Sequence, residues 1–315
     1  MVSRPPLLVL VGPTAVGKTA VAVRLAGLVP IEVVSADSRQ VYRGLDIGTG
    51  KPTTEERAAV PHHLLDVVDP GEPYHAARFR AEARAAITAI HGRGRLPVVV
   101  GGTGLYVRAL LKGLHPAPPA DPALRAALEA EARAQGTPAL HARLAALDPE
   151  RARRLHPNDR VRIVRALEIH ALGAAPGDRT EGDWAGASRS WRLVLIGLRR
   201  ERARLNAAIA ERAHAMVAHG MMEEARGLLA AGLDPTRPPM DGIGYRALAL
   251  AAQGRMPVEE AIRRLVRDTT RYAKRQMTWF AREREIRWID VDEAGGADGA
   301  AEMVLKHITQ EGLIE

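Results

Sequence analysis

Short apolar runs alternate with longer amphipathic stretches along this chain. Residues 7–11 (LLVLV), 31–34 (IEVV), 96–100 (LPVVV) and 191–198 (WRLVLIGL) are nearly continuous in apolar side chains, a pattern that predicts buried strands. Residues 61–70 (PHHLLDVVDP) read as a further strand with a turn after it, and 287–291 (RWIDV) as a final strand at a sheet edge. Helical composition and period mark 20–25, a start near 53–56, and 76–91, the last ended by Gly92, Arg93 and Gly94. Two later helices carry apolar stripes. Over 199–218 the stripe is Leu205, Ile209, Ala213 and Met216; over 258–281 it is Val258, Ile262, Leu265, Val266, Thr269, Tyr272, Ala273, Met277 and Phe280. A helical tail follows the last strand. Strand and helix in alternation predict an α/β fold, in which ligands sit at the carboxyl ends of the strands.

A proline-dense break (HPAPPADP, 115–122) interrupts this alternation. From 123 to about 172 the chain is helical throughout, with Leu124, Leu128, Leu140, Leu144, Leu147 and Leu155 among charged residues. Residues 173–190 are rich in Gly, Asp and Ser and are expected to be mobile; strand pattern then resumes. The expected organisation is an α/β core of 1–115 and 191–315 with a mostly helical insertion of 116–190.

Composition narrows the chemistry. There is no cysteine among the 315 residues, which excludes disulfides, thiolate metal sites and a cysteine nucleophile and suits a reducing cytoplasm. No apolar run approaches the ~20 residues of a membrane span, and the N-terminus carries no signal pattern, so a cytoplasmic protein is expected. The net charge is +8, and all the basic residues are arginine except Lys18, Lys51, Lys112, Lys274 and Lys306. Arginine over lysine follows as readily from genome base composition, but the positive surplus itself favours an anionic partner, nucleic acid first.

The strongest single motif is Gly12, Pro13, Thr14, Ala15, Val16, Gly17, Lys18, Thr19, which fits G-x-x-x-x-G-K-[ST] between a predicted strand and helix. Glycines let backbone N–H groups turn inward, the helix start adds partial positive charge, Lys18 supplies a point charge, and the Thr19 hydroxyl can hold Mg2+. This is a cradle for a di- or triphosphate, as in ATP-binding and other nucleotide-binding P-loop proteins. It predicts a P-loop NTPase-like parallel sheet core flanked by helices. Asp37 follows the second strand and faces the same crevice, placed to act as a base, to hold a metal-bound water, or to cap a helix. ATPases commonly place an acidic residue after a strand such as 96–100. Here Gly101 and Gly102 stand instead, which argues against an ordinary ATPase and lets a flat or bulky group approach, with Thr103 to hydrogen-bond it.

His62 and His63 are neighbours on a strand and point opposite ways, so local hydrogen bonding is expected rather than a shared metal. Arg151, Arg153, Arg154, Arg160, Arg162 and Arg165 crowd the last insertion helix, with Asn158 or Asp159 as its N-cap. They suit phosphate contacts or a solvated face. Arg263, Arg267, Arg271, Lys274, Arg275 and Arg282 form a basic ridge on the long late helix, open to the same two roles.

Several longer stretches resemble the bacterial tRNA dimethylallyltransferase (tRNA isopentenyl transferase) family: GPTAVGKT at 12–19, SADSRQVYRGLDIGTGKP at 35–52, PHHLLDVVDP at 61–70, VVVGGTGLYVRALL, HPNDRVRIVRALE at 156–168, GIGYRAL at 242–248 and TRYAKRQMTWF at 270–280, in the family's order. The C-terminal zinc finger of eukaryotic relatives has no counterpart in this cysteine-free chain. The resemblance implies transfer of the dimethylallyl group of dimethylallyl diphosphate to the exocyclic N6 amine of the adenine 3′ of the anticodon in tRNA. It implies a diphosphate cradle at 12–19 with Mg2+ on Thr19, a second cation at Arg212, and Asp37 as general base. It also implies Thr103 lining the channel where base and donor meet. Asp37, Ser38, Arg39 and Gln40 would touch the base and its neighbours. Val161, Arg162, Ile163, Val164 and Arg165 would grip the anticodon stem-loop, helped by Gly242, Gly244, Tyr245, Arg246, Arg271, Lys274, Arg275 and, on the first insertion helix, Arg125. A monomer is expected. The competing assignments are a P-loop small-molecule or nucleotide kinase, with Asp37 activating an acceptor hydroxyl, a nucleic-acid-binding NTPase, and prenylation of free adenine nucleotides. Arginines spread over remote helices favour the RNA substrate.

Overall fold

A computed structural model describes residues 4–114, 117–173, 190–236 and 238–314. The chain divides into two compact units, Met1–Gly113 with Gly182–Glu315, and Leu114–Glu181.

The first unit is built on a parallel sheet in the order β3-β2-β4-β1-β5-β6. The strands are β1 (Pro6–Val11), β2 (Ile31–Ser35), β3 (His62–His63), β4 (Leu96–Gly101), β5 (Arg192–Arg199) and β6 (Arg287–Asp290). Alternate residues of the apolar runs go to opposite faces, and both faces are covered, which is why the runs are continuous rather than alternating. Leu8, Leu10, Val33, Val98 and Ile196 pack with α1 (Lys18–Ala26) and α13 (Gly296–Gln310). Leu7, Val9, Val34, Val99 and Leu195 pack with α3 (Ala76–Gly92) and α4 (Gly104–Lys112). Register brings Val11 opposite Gly101 and Gly197, and Ser35 opposite Val100. The segments leaving β1, β2 and β4 therefore emerge side by side.

A third apolar cluster joins α9 (Arg202–Ala218), α10 (Met221–Ala230), α11 (Tyr245–Ala252) and α12 (Val258–Phe280) to Val41, Tyr42 and Leu45. The short α2 (Thr54–Ala59) starts on a capping box made by Thr53 and Glu56.

The second unit holds α5 (Pro122–Gln135), α6 (Thr137–Leu147), α7 (Pro149–Arg153) and α8 (Arg160–Ala171) around Leu128, Leu140, Leu144, Ile163, Val164 and Leu167. Asp121, Asp148 and Asp159 cap α5, α7 and α8 through backbone N–H groups. Buried Glu168 accepts from Arg125 (2.6 Å), Arg165 (2.6 Å) and the Asp121 amide (2.9 Å).

Four sequence expectations change. The strand expected over 61–70 pairs only at His62 and His63. Leu64 (φ 64°) and Asp66 (φ 56°) leave the extended region, and Lys51 and Arg57 hold the Asp66 carboxylate. The helix expected from 199 begins at Arg202, because the Glu201 carboxylate caps it from the amides of Ala203 and Arg204; Arg199 ends β5 and Arg200 lies between. Helices α10 and α11 occupy stretches for which no helix is predicted, each beginning after a glycine with positive φ, Gly220 and Gly244. The mobility expected of 173–190 concerns a stretch of which 174–189 lie outside the described residues.

Candidate active site

The loop between β1 and α1 is shaped by residues with positive φ: Gly12 (150°), Ala15 (63°) and Gly17 (103°). Gly12 has no alternative, since a Cβ there would stand 2.6 Å from the Leu198 carbonyl oxygen. The Lys18 ammonium donates to the carbonyls of Gly12 (3.0 Å) and Pro13 (2.8 Å), bracing the loop across its mouth. Burial pulls its pKa down to about 8; Asp37 opposes this shift and Arg212 adds to it. Thr19 follows in the first turn of α1 and lines a small hollow with Ser35, Gln40 and Pro52.

Asp37 leaves the end of β2 beside this loop. Its Oδ1 accepts from the amides of Arg39 (2.8 Å) and Gln40 (3.3 Å), so the capping role is present. The same carboxylate acts electrostatically on Lys18, Arg212 and Tyr272, so three elements converge on it. Arg212 reaches in from α9, where its Nη2 donates to the Gly50 carbonyl (3.4 Å). Burial lowers its pKa against the attraction of Asp37. A Cβ at Gly50 would lie 1.6 Å from Arg212 Nη2, so the glycine makes room for the guanidinium. Gln40 donates to the carbonyls of Thr49 (3.3 Å) and Gly50 (3.0 Å) and takes the Ser35 hydroxyl (3.1 Å). Thr103 N-caps α4 and joins the turn after β2 twice: its amide donates to Ala36 (3.2 Å) and its hydroxyl accepts from the Ser38 amide (3.1 Å). Arg39 bonds Asp241 (2.7 Å) and the Pro239 carbonyl (3.1 Å), tying this turn to the segment before α11.

The structure therefore brings residues 12–19, Asp37, Ser38, Arg39, Gln40, Thr103 and Arg212 into one crevice. Others separate. Tyr245 is buried and its hydroxyl donates to Glu224 (2.6 Å), so it is a packing residue and offers no side chain to an RNA. Gly242 is buried and Arg246 is exposed. Arg271, Lys274 and Arg275 are exposed on α12, Arg275 lying over the Tyr272 ring at 5.6 Å. In the helical unit Ile163 and Val164 belong to the core, at 0% and 2% exposure. They have no surface with which to grip a partner; Val161, exposed at 75%, and Arg162 do. Arg125 and Arg165 are engaged with Glu168, Arg160 with Glu129, and Arg162 with Asp159 (3.4 Å). His62 bonds the Val60 carbonyl and His63 bonds Glu32, each at hydrogen-bond distance, in line with local roles. The described residues contain no cluster of three His, Asp or Glu set to hold a metal.

Two residues outside the sequence-derived set organise the crevice. Glu224 accepts from the amides of Asp46 (2.7 Å), Ile47 (2.8 Å) and Gly48 (3.0 Å), holding the loop that carries Gly50. Gln276 bonds both the Thr14 amide and the Gly102 carbonyl. Its signal is legible in hindsight: position 276 falls on the apolar stripe of α12, four after Tyr272 and four before Phe280, yet it is a glutamine.

Comparison with known proteins adds the lineage. Residues 40–283 match the family model "IPP transferase", and 5–66 match "Isopentenyl transferase". The tRNA dimethylallyltransferase of Anaeromyxobacter dehalogenans (strain 2CP-1) is 54% identical over 285 residues, 90% of this chain and 92% of that one. That of Desulforudis audaxviator is 46% identical over 98% of this chain and 99% of its own. The crystal structure of a full-length tRNA isopentenylpyrophosphate transferase from Bacillus halodurans superposes with a TM-score of 0.70 at 40% identity, covering 98% of each chain. A eukaryotic dimethylallyltransferase whose crystal structures capture it acting on tRNA gives 0.77 at 26% identity, covering 98% of this chain and 79% of that one. With a glycine-loop crevice on a parallel sheet and matches along nearly its whole length, this chain belongs to the IPP (isopentenyl) transferase family.

Proposed function

We propose that this chain transfers the dimethylallyl group of dimethylallyl diphosphate to the N6 amine of the adenine 3′ of the anticodon in tRNA, releasing diphosphate. The observation that carries this is the convergence of Lys18, Arg212 and the phosphate loop on one carboxylate, Asp37. A diphosphate needs cations and N–H groups where its charge grows as the allylic C–O bond breaks. Lys18, Arg212 and the N–H groups of 12–19 supply them. The adenine amine is a weak nucleophile and must lose a proton as it forms the new C–N bond. Asp37 stands at the crevice to accept it, an effect worth about 10²–10⁴-fold.

Mg2+ fits as the partner of the diphosphate. Protein sites for this ion often offer only one or two oxygens and leave the rest to phosphate and water, and here the Thr19 hydroxyl lies beside the loop. When bound, the ion neutralises charge on the leaving diphosphate. The target base must leave its stack, at about a few kcal/mol, to pass Thr103. On this account the anticodon stem-loop is held by Val161 and Arg162 with Arg271, Lys274 and Arg275, and the enzyme works as a monomer in the cytoplasm. No helix among the described residues is long and apolar enough to cross a membrane.

Asp37→Asn tests the assignment of the base. The expected result is loss of transfer with tRNA affinity within a few-fold of wild type. Near-full turnover in that variant removes Asp37 from the chemistry.

A further inference from the structure

Gln276 is 5% exposed on the inner face of α12. Both ends of its carboxamide are used across a sequence separation of more than 170 residues. Oε1 accepts from the Thr14 amide at 2.8 Å, and Nε2 donates to the Gly102 carbonyl at 3.0 Å. The two partners fix the orientation of the amide, since turning it over would set an NH2 against an N–H and an oxygen against a carbonyl. Gly102 is shaped to this contact: a Cβ there would stand 2.0 Å from Gln276 Nε2.

Thr14 is the third residue of the phosphate loop. Its N–H is given to a neutral side chain and so is not among those the loop offers to an anion. Gly102 begins the turn that carries Thr103, and the Thr103 hydroxyl in turn holds the amide of Ser38, next to Asp37. One buried side chain thus ties the side of the crevice that holds the leaving group to the side that holds the base and its proton acceptor. Neighbouring Lys274 and Arg275 are exposed, whereas Gln276 faces only these two backbone groups.

We propose that Gln276 is a positioning residue for the transfer reaction: by bonding Thr14 and Gly102 together it sets the distance between the bound diphosphate and the channel from which the amine attacks. This rests on the functional assignment above. Gln276 does not bind the donor itself, because Lys18, Arg212 and the remaining loop amides do that. Cutting the tie should therefore slow the chemical step while leaving donor binding largely intact. A misplacement of about 1 Å can cost about 100-fold in rate.

The test is single-turnover transfer of labelled dimethylallyl from its diphosphate to a tRNA transcript, with donor KM and the thermal unfolding midpoint measured alongside. Wild type, Gln276→Met, Gln276→Glu, Gly102→Ala and the Met/Ala double variant are compared. Gln276→Met is expected to lower the single-turnover rate about 100-fold with donor KM within about three-fold. Gln276→Glu keeps an acceptor for Thr14 but cannot donate to Gly102 and sets a negative charge near the diphosphate, so it should raise donor KM where Met does not. Gly102→Ala displaces the flexible end of Gln276 and should reproduce the rate loss, with no further loss in the double variant. If Gln276→Met and Gly102→Ala lower only the unfolding midpoint and transfer at the wild-type rate, Gln276 is mere packing and the inference is overturned. If wild type itself leaves tRNA unlabelled, the functional assignment fails first, and the inference with it.

Discussion

Removing the charge of Glu224 should loosen the donor side of the crevice although Glu224 itself stands behind it. Its two carboxylate oxygens accept four hydrogen bonds: Oε2 from the amides of Asp46 and Ile47, Oε1 from the Gly48 amide and the Tyr245 hydroxyl. Glutamine is the same shape but cannot do this. Whichever way its amide is turned, an NH2 replaces one acceptor. Either the amides of Asp46 and Ile47 lose their partner and face a donor, or the Gly48 amide does while the Tyr245 hydroxyl rotates to accept. A hydrogen bond to a charged group contributes about 1.5–3 kcal/mol. Glu224 is partly exposed, and the freed amides can reach water, so the loss should fall near the bottom of the range for the bonds broken, roughly 2–3 kcal/mol. Tyr245 is buried, and burial with Glu224 nearby raises its pKa, so its hydroxyl remains a neutral donor across the usable pH range. The loop held by Glu224 leads to Gly50, whose carbonyl receives Arg212 and Gln40. Glu224→Gln should therefore lower unfolding free energy in urea by roughly 2–3 kcal/mol and slow transfer as Arg212 loses its fixed seat. Tyr245→Phe, which leaves the three amides bonded, should cost about 1 kcal/mol. A Glu224→Gln protein as stable as wild type within about 0.5 kcal/mol would refute the reasoning, because the loop would then be held by something other than this carboxylate.

Two further outcomes are expected. Arg162→Ala should weaken tRNA binding and reduce the slope of log affinity against log salt by about one, with donor binding unchanged; an unaltered slope would leave Arg162 as a solvated partner of Asp159. The Glu32 carboxyl, held down to about 2 chiefly by hydrogen bonds from Arg93 against its own burial, with help from His63, gives the fold an acid limit. Its folded pKa lies below its ordinary value of 4.5, so this contribution is complete above about pH 5 and is lost as pH falls through 4.5 toward 2. It amounts to about 3 kcal/mol, and Glu32→Gln should flatten the acid limb of the unfolding free energy between those limits.

The sheet was legible in the sequence because each strand is covered on both faces, which demands a continuous apolar run. The run 61–70 misleads for a tertiary reason: Lys51, distant in sequence from Asp66, pulls the chain out of the extended region after His63. The glycine loop could be read outright, since its chemistry is local. Arg212 could be placed only by its helix. The stem-loop assignments erred where a motif was taken as a set of contacts. Ile163, Val164 and Tyr245 sit within motif stretches, but their side chains serve packing, and it is neighbours such as Arg162 and Arg246 that reach the surface. Glu224 and Gln276 were invisible because their partners are backbone groups 176 and 262 residues away, which no periodicity encodes.

The central claim concerns what leaves the crevice and what is attacked. Wild-type protein with radiolabelled dimethylallyl diphosphate and Mg2+ should transfer label to unmodified tRNA, on the adenine 3′ of the anticodon, and leave adenosine monophosphate unlabelled. Unlabelled tRNA, label on the free nucleotide, or passage of a γ-phosphoryl group from ATP to a small acceptor would contradict it.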